Sequence, residues 1–414
     1  MKSILYILYD GLTESLAQSQ VLSYLKFLTT EGFQFTVISC EKQDKYHKSG
    51  EDIRKVCKEH SIDWHPLIYH KTPPILSTLF DINRMKRKAE ALFQEKKFDA
   101  VHCRSYIAAF VGSHLKSKYN CKFIFDIRGF FADERVDGDI WKLENPVYNA
   151  VYNFFKKKEA IWFNEADYTV SLTYNAAKHI RKSYPAANIS VIPCCVNTAD
   201  FNYLEFPPNL KSNIRNSLGL SEDAFVLMYH GSIGTWYLLQ EMMGFFKIVK
   251  SKIPNSKFFF LSKEEVGYIH EEAMSQGLDI EDIIVKSVPF DSVPKYLSIA
   301  DASVFFIKPV FSKQASSPTK LAELLSMGIP VFTNSGVGDV DSIIEESGFG
   351  YLIKKFEESH YNQAVEKFLG SKRFDKENMH RYTVENFDSS IGADRYREIY
   401  KALLSTPKHE LITG

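Results

Sequence analysis

The sequence predicts an α/β protein built as two Rossmann-like β/α/β domains facing across a cleft. Short β-rich apolar runs alternate with helical patterns from end to end, the arrangement that parallel sheets require. The alternation breaks and restarts near residue 197, and 414 residues exceed what one ordinary core accommodates. In chain order, Ser3 to Tyr9, Gln34 to Ser39, Ala100 to Cys103, Phe123 to Asp126, Tyr168 to Leu172 and Ser190 to Pro193 read as strands of the first domain. Between the first two, Val21, Leu22, Leu25 and Leu28 share a helical stripe that ends near Gly32. A polar stretch from Asn197 to Asp223, containing Pro207 and Pro208, separates the halves. New strands follow at Phe225 to Tyr229, Lys257 to Leu261, Ile283 to Val285, Ala302 to Phe306 and Pro330 to Thr333. The expected domains are therefore 1–196 and 197–389, with a C-terminal helix over about 390–414 packing back on the first.

Composition narrows the function. Apolar residues at 45% and charged residues at 25% describe a globular chain, not a disordered or fibrous one. Lys plus Arg 51 balances Asp plus Glu 51, whereas phosphate neutralisation on nucleic acid needs a basic excess. Nucleic acid is thus not an expected partner. Six cysteines without C-x-x-C spacing, and scattered histidines, fit reduced cytosolic thiols better than a disulfide frame or a zinc site. The N-terminus runs from a short apolar stretch into a polar turn and lacks a small-residue cleavage site, so it reads as a first strand. No segment reaches the roughly 18 apolar residues of a membrane span. Yet residues 1–196 carry 28 Lys and Arg against 22 Asp and Glu, leaving 23 against 29 for the rest. The excess gathers at Arg84, Lys86, Arg87, Lys88 and Lys156 to Lys158, near Ile75, Leu76, Leu79 and Phe80. This predicts a cytoplasmic protein with peripheral contact to an anionic membrane at its inner face; a solvated helix face with lysine stems over apolar neighbours is the competing reading.

Open parallel sheets bind ligands beyond the carboxyl ends of their strands, so chemistry is expected in those loops. After the first strand comes Asp10-Gly11-Leu12-Thr13-Glu14-Ser15, with Gln18 at the helix entry. The loop lacks G-x-G-x-x-G, which argues against a dinucleotide cofactor. Gly11, Thr13 and Gln18 instead offer backbone N–H, hydroxyl and amide groups to a polar ligand, although capping explains them equally well. In the second half, Ser316-Ser317-Pro318-Thr319 reads as a helix start with proline in its first turn, and Gly328 as its stop. Ser317 and Thr319 sit where helix N–H groups suit a phosphate, and Lys320, one turn in, is placed to neutralise a diphosphate. Glu323, three residues on, shares a face with Lys320 and is placed to accept two ribose hydroxyls; a surface ion pair is the alternative.

At this segment the chain resembles the retaining GT-B glycosyltransferases of family 4. Glu323, Gly328 and Pro330 match the family's acidic residue, glycine and proline-led strand, and its conserved glutamate binds the donor ribose. Tyr229 to Tyr237, with Gly231, Ser232 and Gly234, is similar to the family's glycine-rich donor turn, and residues 288–309, including Pro289, to its nucleotide-side loop. Ile192 to Asn197 sits where the family ends its first domain. Phe125 to Arg135 resembles a pattern of polysaccharide-assembly enzymes. The resemblance covers most of the chain and implies the GT-B fold. It also implies a nucleotide-sugar donor, with UDP or GDP as base carrier, and a glycan or lipid-linked glycan acceptor. Retention, and no metal or other cofactor, are implied too. The chain departs from the family at three points. Ala315 stands where a second glutamate is usual, Ser232 and roughly Tyr237 replace the diphosphate-binding Arg and Lys, and Arg128 replaces a histidine. Lys320 is then the expected diphosphate cation, with Lys308 and Lys313 behind it.

Negative charge grows on the leaving diphosphate during transfer, so stabilising it is the main catalytic task. Lys320 and the permanently charged Arg128 are the expected catalytic cations, and Asp126 is the third expected catalytic residue, a polar group on the acceptor side. Asp133 and Glu134 are acceptor-side candidates that equally suit a helix cap or a pair with Arg135. Asp137-Gly138-Asp139 matches D-x-D in letters but reads as a turn. Two other readings remain: a non-hydrolysing sugar-nucleotide epimerase, which needs an acid and a base in its site, and a catalytically silent sugar-nucleotide or glycan-binding subunit, suggested by Ala315.

Overall fold

A computed structural model describes residues 1–371 and 374–405 and divides into two compact units. Of the described residues, the first comprises 1–136, 141–193 and 389–405; the second comprises 137–140, 194–371 and 374–388. The break after residue 193 falls three positions before the one read from the sequence, because Cys194 and Val196 already bond within the second unit. The part of the expected C-terminal helix beyond residue 405 lies outside the described residues.

The first unit holds a seven-stranded parallel sheet in the order β3-β2-β1-β4-β5-β6-β7. Its strands are β1 (Lys2–Leu8), β2 (Phe33–Glu41), β3 (Asp63–Ile68), β4 (Ala100–Arg104), β5 (Lys122–Asp126), β6 (Tyr168–Ser171) and β7 (Ile189–Val191). The crossover helices are α1 (Ser23–Thr30), α2 (Gln43–Glu59), α3 (Leu76–Glu95), α4 (Ser105–Tyr119), α5 (Phe131–Asp137), α6 (Pro146–Glu165) and α7 (Tyr174–Ser183). The central strands are buried on both faces, as parallel strands covered by helices must be. Phe123 and Phe125 of β5 and Trp162 of α6 anchor the core under Tyr106 of α4.

The second unit holds a six-stranded parallel sheet in the order β10-β9-β8-β11-β12-β13. Its strands are β8 (Phe225–His230), β9 (Ser256–Leu261), β10 (Ile283–Lys286), β11 (Ala302–Phe305), β12 (Val331–Asn334) and β13 (Gly350–Ile353). Its principal helices are α8 (Pro208–Ser217), α9 (Leu239–Lys252), α10 (Val266–Ser275), α11 (Thr319–Ser326), α12 (Val340–Ser347), α13 (Glu358–Gly370) and α14 (Lys376–Phe387). Phe245, Phe258, Phe260, Phe306 and Phe332 fill its core. A last helix, α15 (Ser389–Leu404), belongs to the first unit and packs against α1.

In each sheet the chain winds outward one way and then returns to wind the other way. The reversal falls between β1 and β4 in the first unit and between β8 and β11 in the second. Such switch points open a crevice at the strands' carboxyl ends. Gly11 follows β1 and Gly231 follows β8, so both loops singled out in the sequence lie at a switch point. All six cysteines are buried and unbridged.

Candidate active-site clusters in the two units

In the second unit the chain leaves β8 at His230 and turns through Gly231 and Gly234, whose φ of 102° and 52° favour glycine. Ser232 is exposed in this turn, and its carbonyl accepts from the Tyr229 hydroxyl at 2.6 Å. Facing it is α11, which Pro318 starts without a side-chain cap. Its first N–H groups therefore have no partner within the helix. Thr319 is the first helical residue, while the Ser317 hydroxyl accepts the backbone N–H of Cys194 at 3.1 Å. Lys320 runs back under the turn: a Cβ built on Gly231 would lie 3.4 Å from its Nζ.

Lys320 and Glu323 share a face, as their spacing requires, yet they do not pair. The Lys320 ammonium lies 3.5 Å from the Tyr237 ring centroid and 4.0 Å from that of Tyr229, and no hydrogen-bond partner reaches it. Burial pushes its pKa well below the usual lysine value, partly countered by the Glu323 charge. Glu323 instead meets His230, with Oε2 2.7 Å from Nε2. Burial lowers the His230 pKa, which favours the neutral imidazole in this contact. Lys313 lies 3.7 Å above the Trp236 ring. Two buried lysines from the α11 side thus rest on rings of the glycine turn, at the place where Ser232 and Tyr237 supply no cation. Lys308 is engaged otherwise, donating to the Asp137 carbonyl at 2.8 Å and lying 3.5 Å from the Asp139 carboxylate. The Asp137 carboxylate accepts the Ser312 N–H at 2.9 Å, so the D-x-D letters serve loop contacts. Ala315 is fully buried. Pro289 is exposed and follows edge strand β10, two strands from β8, so it does not join this cluster.

In the first unit, Gly11 is required by space. A Cβ there would fall 2.4 Å from Glu41 Oε2. Glu41 ends β2 beside β1, and its buried carboxylate accepts the N–H groups of Leu12 and Thr13 at 2.8 and 3.2 Å. The hydroxyls of Thr13 and Ser39 also donate to it. Thr13 is thereby spent on holding the loop. Gln18 donates to the Thr13 carbonyl at 3.3 Å and begins a π-helical turn, Gln18–Leu22. Such turns are frequent at functional sites.

Neighbouring strands β4 and β5 end in Arg104 and Asp126, which are register partners. Asp126 is fully buried and accepts the Tyr396 hydroxyl of α15 at 2.9 Å. Arg104, Arg128 and His102 lie 3.6 to 3.8 Å from its carboxylate. Burial alone would raise the Asp126 pKa, but the nearby Arg128, His102 and Arg104 outweigh it and hold it at about 2. Arg128 has a φ of 55°, a left-handed conformation that is uncommon for a non-glycine residue. His102 is held neutral mainly by burial, and its Nδ1 lies 2.7 Å from the Tyr400 hydroxyl. Asp133 is bound by Lys156 at 2.8 Å and Tyr152 at 3.0 Å, next to a Lys156–Glu159–Tyr106 network. Glu134 lies against Gly129. Asp126 and Arg128 therefore come together, whereas Asp133 belongs to a separate network on α6.

Sequence reasoning missed Glu41, His102, Arg104, Tyr396 and the pairing of His230. Arg104 and Glu41 carry a usable signal, since each is a charged residue closing an apolar strand. His102 and Tyr396 carry none without the register. No group of three or more metal-ligating side chains occurs among the described residues.

Comparisons with known proteins agree with this architecture. The sequence model of Glycosyltransferase Family 4 matches residues 17–200, and that of Glycosyl transferases group 1 matches residues 211–386. No curated protein sequence matches the chain significantly. Among solved structures, a glycosyltransferase from Rickettsia africae ESF-5 superposes with a TM-score of 0.71 at 15% identity, covering 98% of this chain and 99% of that one. A sucrose-phosphate synthase from Thermosynechococcus elongatus gives 0.73 at 14%, covering 97% and 99%. WaaG, a glycosyltransferase involved in lipopolysaccharide biosynthesis, gives 0.64 at 16%, covering 96% and 99%.

Proposed function

Because this chain belongs to the family 4-like GT-B glycosyltransferases, we propose that it moves a sugar from a nucleoside diphosphate sugar to a glycan or lipid-linked glycan. In our reading it does so with retention, needs no divalent metal, and works as a peripheral enzyme at the inner face of a membrane. The observation that carries the donor assignment is the arrangement of Gly231, Lys320, Glu323 and His230 at the β8 switch point. A buried ammonium without a hydrogen-bond partner is costly, and an arriving diphosphate supplies the missing acceptor. The N–H groups of Thr319 and Lys320 at the start of α11 point the same way, while that of Leu321 is taken by the Pro318 carbonyl. Glu323, oriented through Oε2 by His230, accepts the ribose hydroxyls. As the anomeric bond breaks, charge builds on the diphosphate, and the buried Lys320 opposes it. Asp126, sealed from solvent, acts through Arg128 and Arg104 and is a positioning residue.

A thermal-shift panel of UDP, GDP, ADP and their sugars tests the donor, because a ligand of the native state raises its apparent stability. UDP is the first candidate, since one neighbour is a MnaA–UDP co-structure and another a Neisseria meningitidis UDP-GlcNAc 2-epimerase bound to UDP-GlcNAc. Product analysis without acceptor separates transfer from epimerisation, for which those neighbours, with TM-scores of 0.55, are the motive. Donor binding without turnover in any acceptor mixture would favour the silent subunit that Ala315 suggests.

A further inference from the structure

Helices α3, α4 and α6 cover one face of the first unit's sheet, α4 packing against both of the others. Their outer surface is unlike an ordinary solvated one. On α3, Leu76, Leu79 and Phe80 are 64%, 54% and 53% exposed; on α6, Val147 and Phe154 are 57% and 45% exposed. Leu79 and Lys86 stand seven residues apart, and Val147 and Phe154 stand eleven and four before Lys158, so each helix runs from apolar to basic along one stripe. Both helices return from the carboxyl to the amino edge of parallel strands. On each helix the apolar residues thus lie toward the carboxyl edge of the sheet, and the lysine follows about 6 to 16 Å further along.

Between the helices lies a groove of about 620 Å³ that includes Lys86, Lys116, Lys158, Ser113, Ser117 and Asn120 in its lining. Lys116 is paired with Asp167 and His114 with Glu90, while Glu165 accepts from Ser113. Lys86 and Lys158 have no ion-pair partner among the described residues and repel each other. Two like charges facing one groove with hydroxyl and amide donors around them suit a phosphate. The basic run read from the sequence does not act as a unit. Arg84 donates to the Ile68 carbonyl at 2.8 Å and lies over the Phe80 ring, and the helical period turns Lys88 away from the outer stripe.

We propose that this face docks on an anionic phospholipid bilayer. Leu76, Leu79, Phe80, Val147 and Phe154 enter the headgroup boundary, and Lys86 and Lys158 share a lipid phosphate in the groove. The proposal deepens the reading of a lipid-linked acceptor, but its test needs no turnover, so either can fail alone. The full chain is sedimented with vesicles of phosphatidylcholine alone or mixed with phosphatidylglycerol, at low and high salt. Retention by the mixed vesicles only, weakened by salt, is expected. Lys86→Gln with Lys158→Gln should weaken it about twenty-five-fold, at about fivefold per lysine. Leu79→Ser with Phe80→Ser should weaken it at least tenfold, with little change in thermal midpoint because both side chains are more than half exposed. Equal retention by neutral vesicles, or unchanged variants, would overturn the proposal. So would saturation by inorganic phosphate without vesicle retention, which would mark a soluble-phosphate site, or a concentration-dependent dimer broken by Leu79→Ser with Phe80→Ser.

Discussion

Lys320 of the second unit and Asp126 of the first are both buried at the carboxyl edge of a parallel sheet, and they are surrounded in opposite ways. Asp126 has two arginines, a histidine and a tyrosine hydroxyl around it, and its pKa falls to about 2. Lys320 has aromatic rings and no hydrogen-bond acceptor, and its pKa falls far below that of a free lysine. Both shifts are downward, but in Asp126 the shift favours the charge and in Lys320 it opposes the charge. A charge that the protein already compensates serves the fold and its neighbours. One left uncompensated is the group to which the proposed function assigns a ligand.

The largest expected effect tests the first half of that contrast. Asp126→Asn removes the carboxylate that Arg104 and Arg128 approach at 3.8 Å inside a buried cluster. Breaking such a buried network typically costs about 3–5 kcal/mol, which urea unfolding of the variant would read as a lower midpoint. A loss below about 1 kcal/mol, the scale of an exposed pair, would mean that the cluster is solvated and that Asp126 does not hold the arginines.

Lys320→Met should behave in the reverse manner. The buried ammonium contributes no ion pair, so stability should hold or rise. Turnover should fall by about 10² to 10³, the usual loss when one preorganised electrostatic group is removed from a transition state. Equal destabilisation of the two variants would erase the distinction. Normal turnover in Lys320→Met would move the cationic role to Lys313, the other lysine seated on a ring of this turn.

Between these extremes lies Glu323, half compensated by His230. Glu323→Gln should weaken nucleotide-sugar binding by about 1.5 to 3 kcal/mol, the value of hydrogen bonds to a charged group, while leaving the unfolding midpoint close to wild type. Isothermal titration with the nucleotide sugar found in the thermal-shift panel reads it. Unchanged affinity would leave Glu323 as a partner of His230 alone.

The same contrast explains what the sequence revealed and what it hid. Local signals were enough to single out the second unit's cluster, since Gly231, Lys320 and Glu323 lie in two short segments with glycine, proline and helical spacing. Even there, periodicity put Lys320 and Glu323 on one face without showing that His230 takes the carboxylate. The first unit's cluster depends on long-range register: Tyr396 lies 270 residues from Asp126, and Tyr400 lies 298 from His102. Strands β3 and β13 were also hidden. Pro66 interrupts β3 and marks an edge, while β13 is four residues long and begins with Gly350.

The two buried groups also differ in how pH acts on them, and this gives the smallest expected effects. Asp126 has a folded pKa below its unfolded value near 4, so its contribution is complete above about pH 4 and is lost as pH falls through about 2. Nothing should change near neutrality, and Asp126→Asn should flatten that acid limb. In the proposed function Lys320 acts instead on donor affinity. An ammonium is needed to meet the diphosphate, while burial in the ligand-free protein favours the neutral amine. Affinity should be level below the ligand-free pKa and fall as pH rises above it, by at most about 1.4 kcal/mol per pH unit, until the higher pKa of the bound state is passed. The diphosphate of a nucleotide sugar does not titrate near neutrality, so titration calorimetry from mildly acidic to mildly alkaline buffer reports the protein. Lys320→Met should lower the affinity and abolish its slope with pH. A slope that survives this substitution would assign the titrating group to another residue and leave Lys320 as a buried structural amine.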